Sequence, residues 1–278
     1  MTVPFWKVQS TGNHFVLIEP QPGWPEERLV EFVIRASRPH FGIGSDGVLV
    51  LARAENGLQL RMFNPDGTED FCGNGLRCAA VFGRLRGFVN SDQFVISHLG
   101  REVQVTTNGP SARTTLQSAT YDPLAVPHLF GHEMVNEQIL LSGVPYRIHA
   151  ISTGSTHVVL PVAKLPEDEQ FFAVSRELEH HPMFPERTSA MWMQELSENQ
   201  VRLRIWERGA GETMGCGTGS TASAVAYCRE RGACGQIQVH NPGGTVQVEL
   251  ATWDAAPTVT GEAEILFEGQ FEFAEPRG

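Results

Sequence analysis

Apolar and polar positions along the chain alternate in short runs far more often than they recur at helical spacing. Val201, Leu203 and Ile205 alternate with Arg202, Arg204 and Trp206, which is the period of a strand with one buried face. Similar short runs predict strands over 15–19, 48–53, 58–63, 94–97, 103–106 and 246–250. Helical periodicity is rarer. Residues 26–36 place Leu29, Phe32, Val33 and Ala36 on one face, with Pro25 at the start, and predict an amphipathic helix. A second helix is expected over 167–179. Two further helix-like stretches, 76–85 and 220–230, are rich in alanine and small residues. Asn241-Pro242-Gly243-Gly244 marks a turn between two strands.

The pattern occurs twice. Residues 10–17 read STGNHFVL and residues 152–160 read STGSTHVVL. Residues 63–75 read FNPDGTEDFCGNG and residues 206–219 read WERGAGETMGCGTG. Gly12 to Gly154 spans 142 residues, and Cys72 to Cys216 spans 144. Two matches at nearly one offset indicate an internal duplication, each half carrying one version of a Cys-Gly-x-Gly loop between a strand and a helix. The predicted fold is therefore α+β, two structurally similar domains with an active site in the cleft between them. The expected halves are 1–118, carrying Cys72 and completed by 262–278, and 119–261, carrying Cys216, with Pro123 and Pro127 near the boundary.

Composition narrows the function classes. The chain has 278 residues and a formal net charge of −11, a surface that repels nucleic acid and anionic lipid. No apolar run has the length of a membrane span, and no leader is evident, so a cytoplasmic protein is expected. The five cysteines, Cys72, Cys78, Cys216, Cys228 and Cys234, are an odd number without zinc spacing. Cys78 and Cys228 are expected to pack inside their helices. Gly217–Ala222 fits a loose dinucleotide pattern but does not directly follow a strand. His180-His181 lacks the carboxylates of a metal site, and no metal is expected.

A cysteine at a helix start has chemical consequences. The helix end presents N–H groups and partial positive charge, which lower a thiol's pKa and attract a carboxylate. The flanking glycines are expected to clear the approach of a ligand to the backbone. Two such units would let one cysteine remove an α-proton as thiolate while the other returns a proton as thiol, inverting an amino acid.

These residues resemble the diaminopimelate epimerase family over nearly the whole chain. The matching blocks are Gly12-Asn13-x-Phe15, Gly42-Ile43-Gly44-x-Asp46-Gly47, Phe63-Asn64-x-Asp66-Gly67, Cys72-Gly73-Asn74-Gly75 with Arg77-Cys78, Phe184–Arg187, Glu207–Thr213, Cys216-Gly217-Thr218-Gly219 and Pro242-Gly243-Gly244. The resemblance implies Cys72 and Cys216 as the acid/base pair. It implies that backbone amides at Gly73, Asn74, Gly217 and Thr218 hold the reacting carboxylate, with Asn13, Asn64 and Glu207 at the substrate. Arg208 would hold a second carboxylate, and His157 and Glu207 would set the thiols' protonation. The implied activity is interconversion of LL- and meso-diaminopimelate without a cofactor, with a small-molecule amino acid as the only obligatory partner and a homodimer as an option. His14, Ser155, Thr156, Ser189 and Ser10 depart from the family's usual residues. A racemase or epimerase of another α-amino acid therefore stands beside this reading, as does a non-catalytic binding or thiol redox protein.

Overall fold

The computed structural model describes residues 1–273, which fall into two compact units. One runs from Met1 to Thr114 and includes the segment beginning at Gly261; the other is Thr115–Thr260.

The first unit contains β1 (Thr2–Ser10), β2 (Asn13–Ile18), α1 (Glu26–Ser37), β3 (Gly47–Ala54), β4 (Gly57–Phe63), α2 (Gly73–Leu85), β5 (Gln93–His98), β6 (Arg101–Asn108) and β7 (Ser111–Thr115). The second contains β8 (Glu137–Leu141), β9 (Val144–Ser152), β10 (Thr156–Val162), α3 (Asp168–Glu179), β11 (Ser189–Ser197), β12 (Gln200–Glu207), β13 (Gly211–Thr213), α4 (Gly217–Arg231), β14 (Gln236–Asn241), β15 (Gly244–Glu249) and β16 (Thr258–Glu262). The last strand, β17 (Glu264–Glu272), pairs antiparallel with β1.

The duplication read from two short motifs extends to the whole topology. In the first unit β1–β2 is antiparallel, β2–β3 parallel, β3–β4 antiparallel, β4–β5 parallel and β5–β6 antiparallel. In the second, β9–β10, β10–β11, β11–β12, β12–β14 and β14–β15 repeat that order of senses. A parallel pair needs a long crossover, and a helix supplies each one: α1 and α2 in one unit, α3 and α4 in the other. The fold is α+β and duplicated.

The central strands of the first unit bury both faces, which is why their sequences are apolar runs rather than alternations. Phe15, Leu17, Leu49 and Leu51 belong to the cluster that packs around α2. Val16, Ile18, Val48 and Val50 turn the other way and meet Phe32 and Val33 of α1. α1 is amphipathic as its spacing predicts. Helix α2 is different: Gly73 to Gly83 are all buried. In α4 every residue from Gly217 to Cys228 is buried. A helix enclosed on all sides has no polar stripe, and small residues let surrounding strands approach it closely. Its hydroxyls are satisfied locally: Thr221 Oγ1 donates to Gly217 O and Ser223 Oγ to Gly219 O. Both helices begin three residues earlier than their alanine-rich stretches indicate, because the Cys-Gly-x-Gly loops form their first turns.

Cys78 and Cys228 are buried as expected. Among the described residues no helix is long and apolar enough to cross a membrane.

Candidate active site

Each half-site is built on a cysteine that caps a central helix. Cys72 is the N-cap of α2, with φ −133° and ψ 114°, and Cys216 the N-cap of α4, with φ −129° and ψ 112°. Each sulfur accepts the backbone N–H three residues on, Gly75 in one case and Gly219 in the other, both at 3.4 Å. A side chain rather than water thus satisfies one of the amides that a helix leaves outside its own ladder. Next to each sulfur stand the first two residues of the helix, Gly73 and Asn74 or Gly217 and Thr218, where the macrodipole concentrates positive charge.

Gly75 and Gly219 do not clear a path for a ligand. A Cβ on Gly75 would lie 3.0 Å from Leu49 Cδ2, and one on Gly219 would lie 2.4 Å from Met191 Sδ. These glycines let each helix start settle on the strand beneath it, β3 or β11.

In the first unit a two-residue turn, Thr11-Gly12, joins β1 to β2. Both residues have positive φ, 57° and 77°, as the tightest hairpin requires. The turn presents Asn13 to the helix start. Asn13 Oδ1 lies 4.0 Å from Cys72 Sγ and accepts from Asn74 Nδ2 at 3.3 Å. Asn13 Nδ2 donates to Asp46 at 2.7 Å. The fully buried Arg77 donates to Ser10 Oγ at 3.1 Å, to Thr11 Oγ1 and to Asn74 Oδ1. Asn13, Cys72 and Asn74 are therefore brought together. Asn64 sits in the turn after β4, where its amide donates to Thr68 Oγ1 at 3.0 Å and its backbone N–H to Thr68 O at 2.8 Å.

The second unit holds its turn against the helix with different groups. Thr153 Oγ1 donates to Thr218 O at 3.0 Å. Cys216 is buried, and Thr218 Oγ1 lies 3.5 Å from its sulfur. The thiol does not have the lowered pKa expected of a helix N-cap. Burial pushes it well above the usual cysteine range, and the Glu207 carboxylate adds to the rise; the Thr218 hydroxyl and the Gly219 N–H act in the opposite direction without overcoming it. A macrodipole worth half a charge cannot offset removal from water beside a carboxylate. Glu207 is itself held by Thr213, whose hydroxyl donates at 2.6 Å.

Arg208, next along the chain, donates from Nη1 to Glu186 O at 2.9 Å and from its backbone N–H to Ser189 Oγ at 3.0 Å. His157 is register partner to Ser189 across β10 and β11. Its ring is buried, and neither nitrogen has a hydrogen-bond partner among the described residues. Burial, reinforced by the Arg208 charge, lowers its pKa to about 3 and keeps it neutral.

The departures from the family pattern are used by the protein itself. Ser189 buttresses Arg208. The backbone N–H of His14 shares Asp46 with Asn13, at 2.8 Å. Ser155 O accepts from Thr153 N at 3.2 Å within the turn. Three contributors went unassigned in the reading of the chain: Asp46, Arg77 and Thr213. Each lies inside a block that carries the family resemblance, which is the signal that marks them.

The family profile described as diaminopimelate epimerase matches residues 5–120 and 149–266. The chain is 33% identical to the diaminopimelate epimerase of Moorella thermoacetica over 96% of its own length and 98% of the relative's. It is also 33% identical to diaminopimelate epimerase 1 of a Nostoc species, over 97% and 100%. Among solved structures, a hydroxyproline epimerase from Agrobacterium vitis superposes with a TM-score of 0.72 at 14% identity, covering 99% of this chain and 94% of that one. A phenazine biosynthesis protein of the PhzF family from Bacillus anthracis superposes with a TM-score of 0.67 at 18% identity, over 98% and 100%. These structural likenesses bear on the fold.

Proposed function

The chain belongs to the diaminopimelate epimerase family, and from this premise we propose that it is an isomerase interconverting LL- and meso-2,6-diaminopimelate by proton transfer between Cys72 and Cys216. The observation that carries the chemistry is the matched pair of caps: each half of the chain ends a loop with a sulfur at a helix N-terminus, in the same backbone conformation.

In the proposed reaction one sulfur, as thiolate, takes the α-proton of the substrate. The electron pair left on carbon delocalises into the α-carboxylate. The other sulfur, as thiol, gives its proton to the opposite side of the same carbon, so configuration inverts and the two sulfurs exchange protonation states. Charge grows on the carboxylate during this step. The amides of Gly73, Asn74, Gly217 and Thr218 are the groups that would meet that charge, with the helix dipoles behind them. Arg208 is a planar cation suited to the distal carboxylate. Asn13 and Asn64 supply amides for the substrate's polar groups. Glu207, beside the Cys216 thiol, is the acceptor through which that thiol would become a base: moving the S–H proton to the carboxylate avoids placing two negative charges side by side. His157, neutral and buried next to Arg208, shapes the field without carrying charge.

Incubation with LL-diaminopimelate in D₂O tests the proposal. The expected result is meso product carrying α-deuterium, lost in both the Cys72→Ala and the Cys216→Ala variants. Product without deuterium, or full activity in both single variants, would refute the two-sulfur scheme. No turnover of diaminopimelate alongside turnover of another amino acid would refute the substrate.

A further inference from the structure

Four residues around Cys72 form a hydrogen-bond chain with one direction. Arg77 Nη2 donates to Asn74 Oδ1, Asn74 Nδ2 donates to Asn13 Oδ1 at 3.3 Å, and Asn13 Nδ2 donates to Asp46 Oδ2 at 2.7 Å. An amide side chain in isolation can turn either way, since its oxygen accepts and its nitrogen donates. The ends of this chain cannot: a guanidinium only donates and a carboxylate only accepts. With Arg77 at one end and Asp46 at the other, both asparagine amides have a single orientation that satisfies every link. Asn13 must then direct its carbonyl oxygen, not its NH₂, toward the neighbouring sulfur of Cys72, 4.0 Å away.

We propose that Arg77 and Asp46 are positioning residues for Cys72: by fixing the direction of this chain they keep the Asn13 carbonyl facing the sulfur and hold Cys72 in its protonated, proton-giving form when no substrate is bound. The inference rests on the reading of Cys72 as one of the two proton-transfer groups. A carbonyl oxygen can accept from a thiol but cannot stabilise a thiolate, so the Asn13 contact favours the S–H state. The Gly75 N–H on the same sulfur favours the opposite state, and the balance is open to adjustment by substrate. Arg77 also holds the β1–β2 turn through Ser10 and Thr11, so the residue that orients the amides also sets the position of Asn13. Other titratable groups surround the site: Cys78 on the same helix, Lys7 on β1, whose ammonium feels Asp46, His14 beside Asn13, and Asp70 and His98 flanking Phe71. None of them is a link in the chain.

The test is the pH dependence of Cys72 alkylation by iodoacetamide in the full-length protein, followed by mass spectrometry of the Cys72 peptide. Two effects of Arg77→Gln oppose each other, so the sign decides. Loss of the cation would move thiolate formation to higher pH. Loss of the directional donor frees Asn74 and Asn13 to turn an NH₂ toward the sulfur and moves it to lower pH. The expected result is a shift to lower pH by about one unit, about tenfold in rate on the rising limb. A shift upward, or none, overturns the proposal. Arg77 is buried, so Asp46→Asn at an exposed position provides the second variant. It should also shift the profile downward, and the shift should persist in 1 M NaCl, where the screening length is about 3 Å and an exposed charge acts weakly. Disappearance of that shift in salt would assign it to simple charge removal and overturn the proposal. Alkylation needs no turnover, so these outcomes stand apart from the epimerase assay: a chain that never epimerises diaminopimelate but shows both shifts would refute the function and leave this device in place.

Discussion

The hydroxyl of Ser189 accepts the backbone N–H of Arg208 at 3.0 Å, so a short side chain at the start of β11 anchors the residue proposed to grip the distal carboxylate. Ser189 is buried. Removing its hydroxyl leaves a buried N–H without its acceptor, which costs about 1–3 kcal/mol where no water replaces it. Ser189→Ala is expected to raise KM for diaminopimelate more than it lowers kcat, because Arg208 is set back from the reacting carbon. Steady-state kinetics of the variant check this.

Glu207 opposes ionisation of Cys216, since a second negative charge beside a carboxylate is unfavourable. Glu207→Gln removes that charge. Alkylation of Cys216 is therefore expected to set in at lower pH in the variant, while epimerisation falls by about 10²–10⁴, the usual contribution of a proton-transfer group. The two measurements must move in opposite directions: a more reactive thiol and a slower enzyme.

His157 makes stability depend on pH. Its folded-state pKa of about 3 lies below the ordinary 6.5, so between those values the unfolded chain binds a proton that the folded chain refuses. The contribution is complete above pH 6.5 and is lost as pH falls toward 3, with a slope of about 1.4 kcal/mol per unit at most. His157→Leu should flatten this part of the curve. Urea unfolding from pH 7.5 to 4.5 measures the slope in both proteins.

Gly47 opens β3 against the backbone of β4. A Cβ there would stand 2.4 Å from Phe63 O, an atom that cannot swing away. At Gly219 the obstructing atom is the Met191 thioether, near the end of a flexible side chain. Gly47→Ala is expected to destabilise the protein by about 1–3 kcal/mol. Gly219→Ala should cost less stability but displace the start of α4, so that Cys216 activity falls while the melting temperature changes little. Thermal melts and turnover measured side by side distinguish the two positions.

Much of the architecture is legible in the order of residues, because the rules involved are local. Two Cys-Gly-x-Gly loops at nearly equal offset announce the duplication. Period-two runs mark strands such as β12, and Leu29, Phe32, Val33 and Ala36 mark the inner face of α1. The position of Cys72 and Cys216 at helix starts follows from the loops' glycines and the alanine-rich stretches after them. The family blocks carry the residue roles.

Other properties of the site come into being only when distant segments meet. Enclosure of α2 and α4 by strands depends on how the sheets pack, and no periodicity within Gly217–Cys228 encodes it. The raised pKa of Cys216 follows from that enclosure and from Glu207, which reaches the thiol from the end of another strand. The direction of the Asn13 amide depends on Asp46 and Arg77, 33 and 64 positions away along the chain. Spacing along a chain specifies what a segment can form by itself. Proton affinity and hydrogen-bond direction are set by desolvation and by neighbours across space, so they were decided by the folded protein.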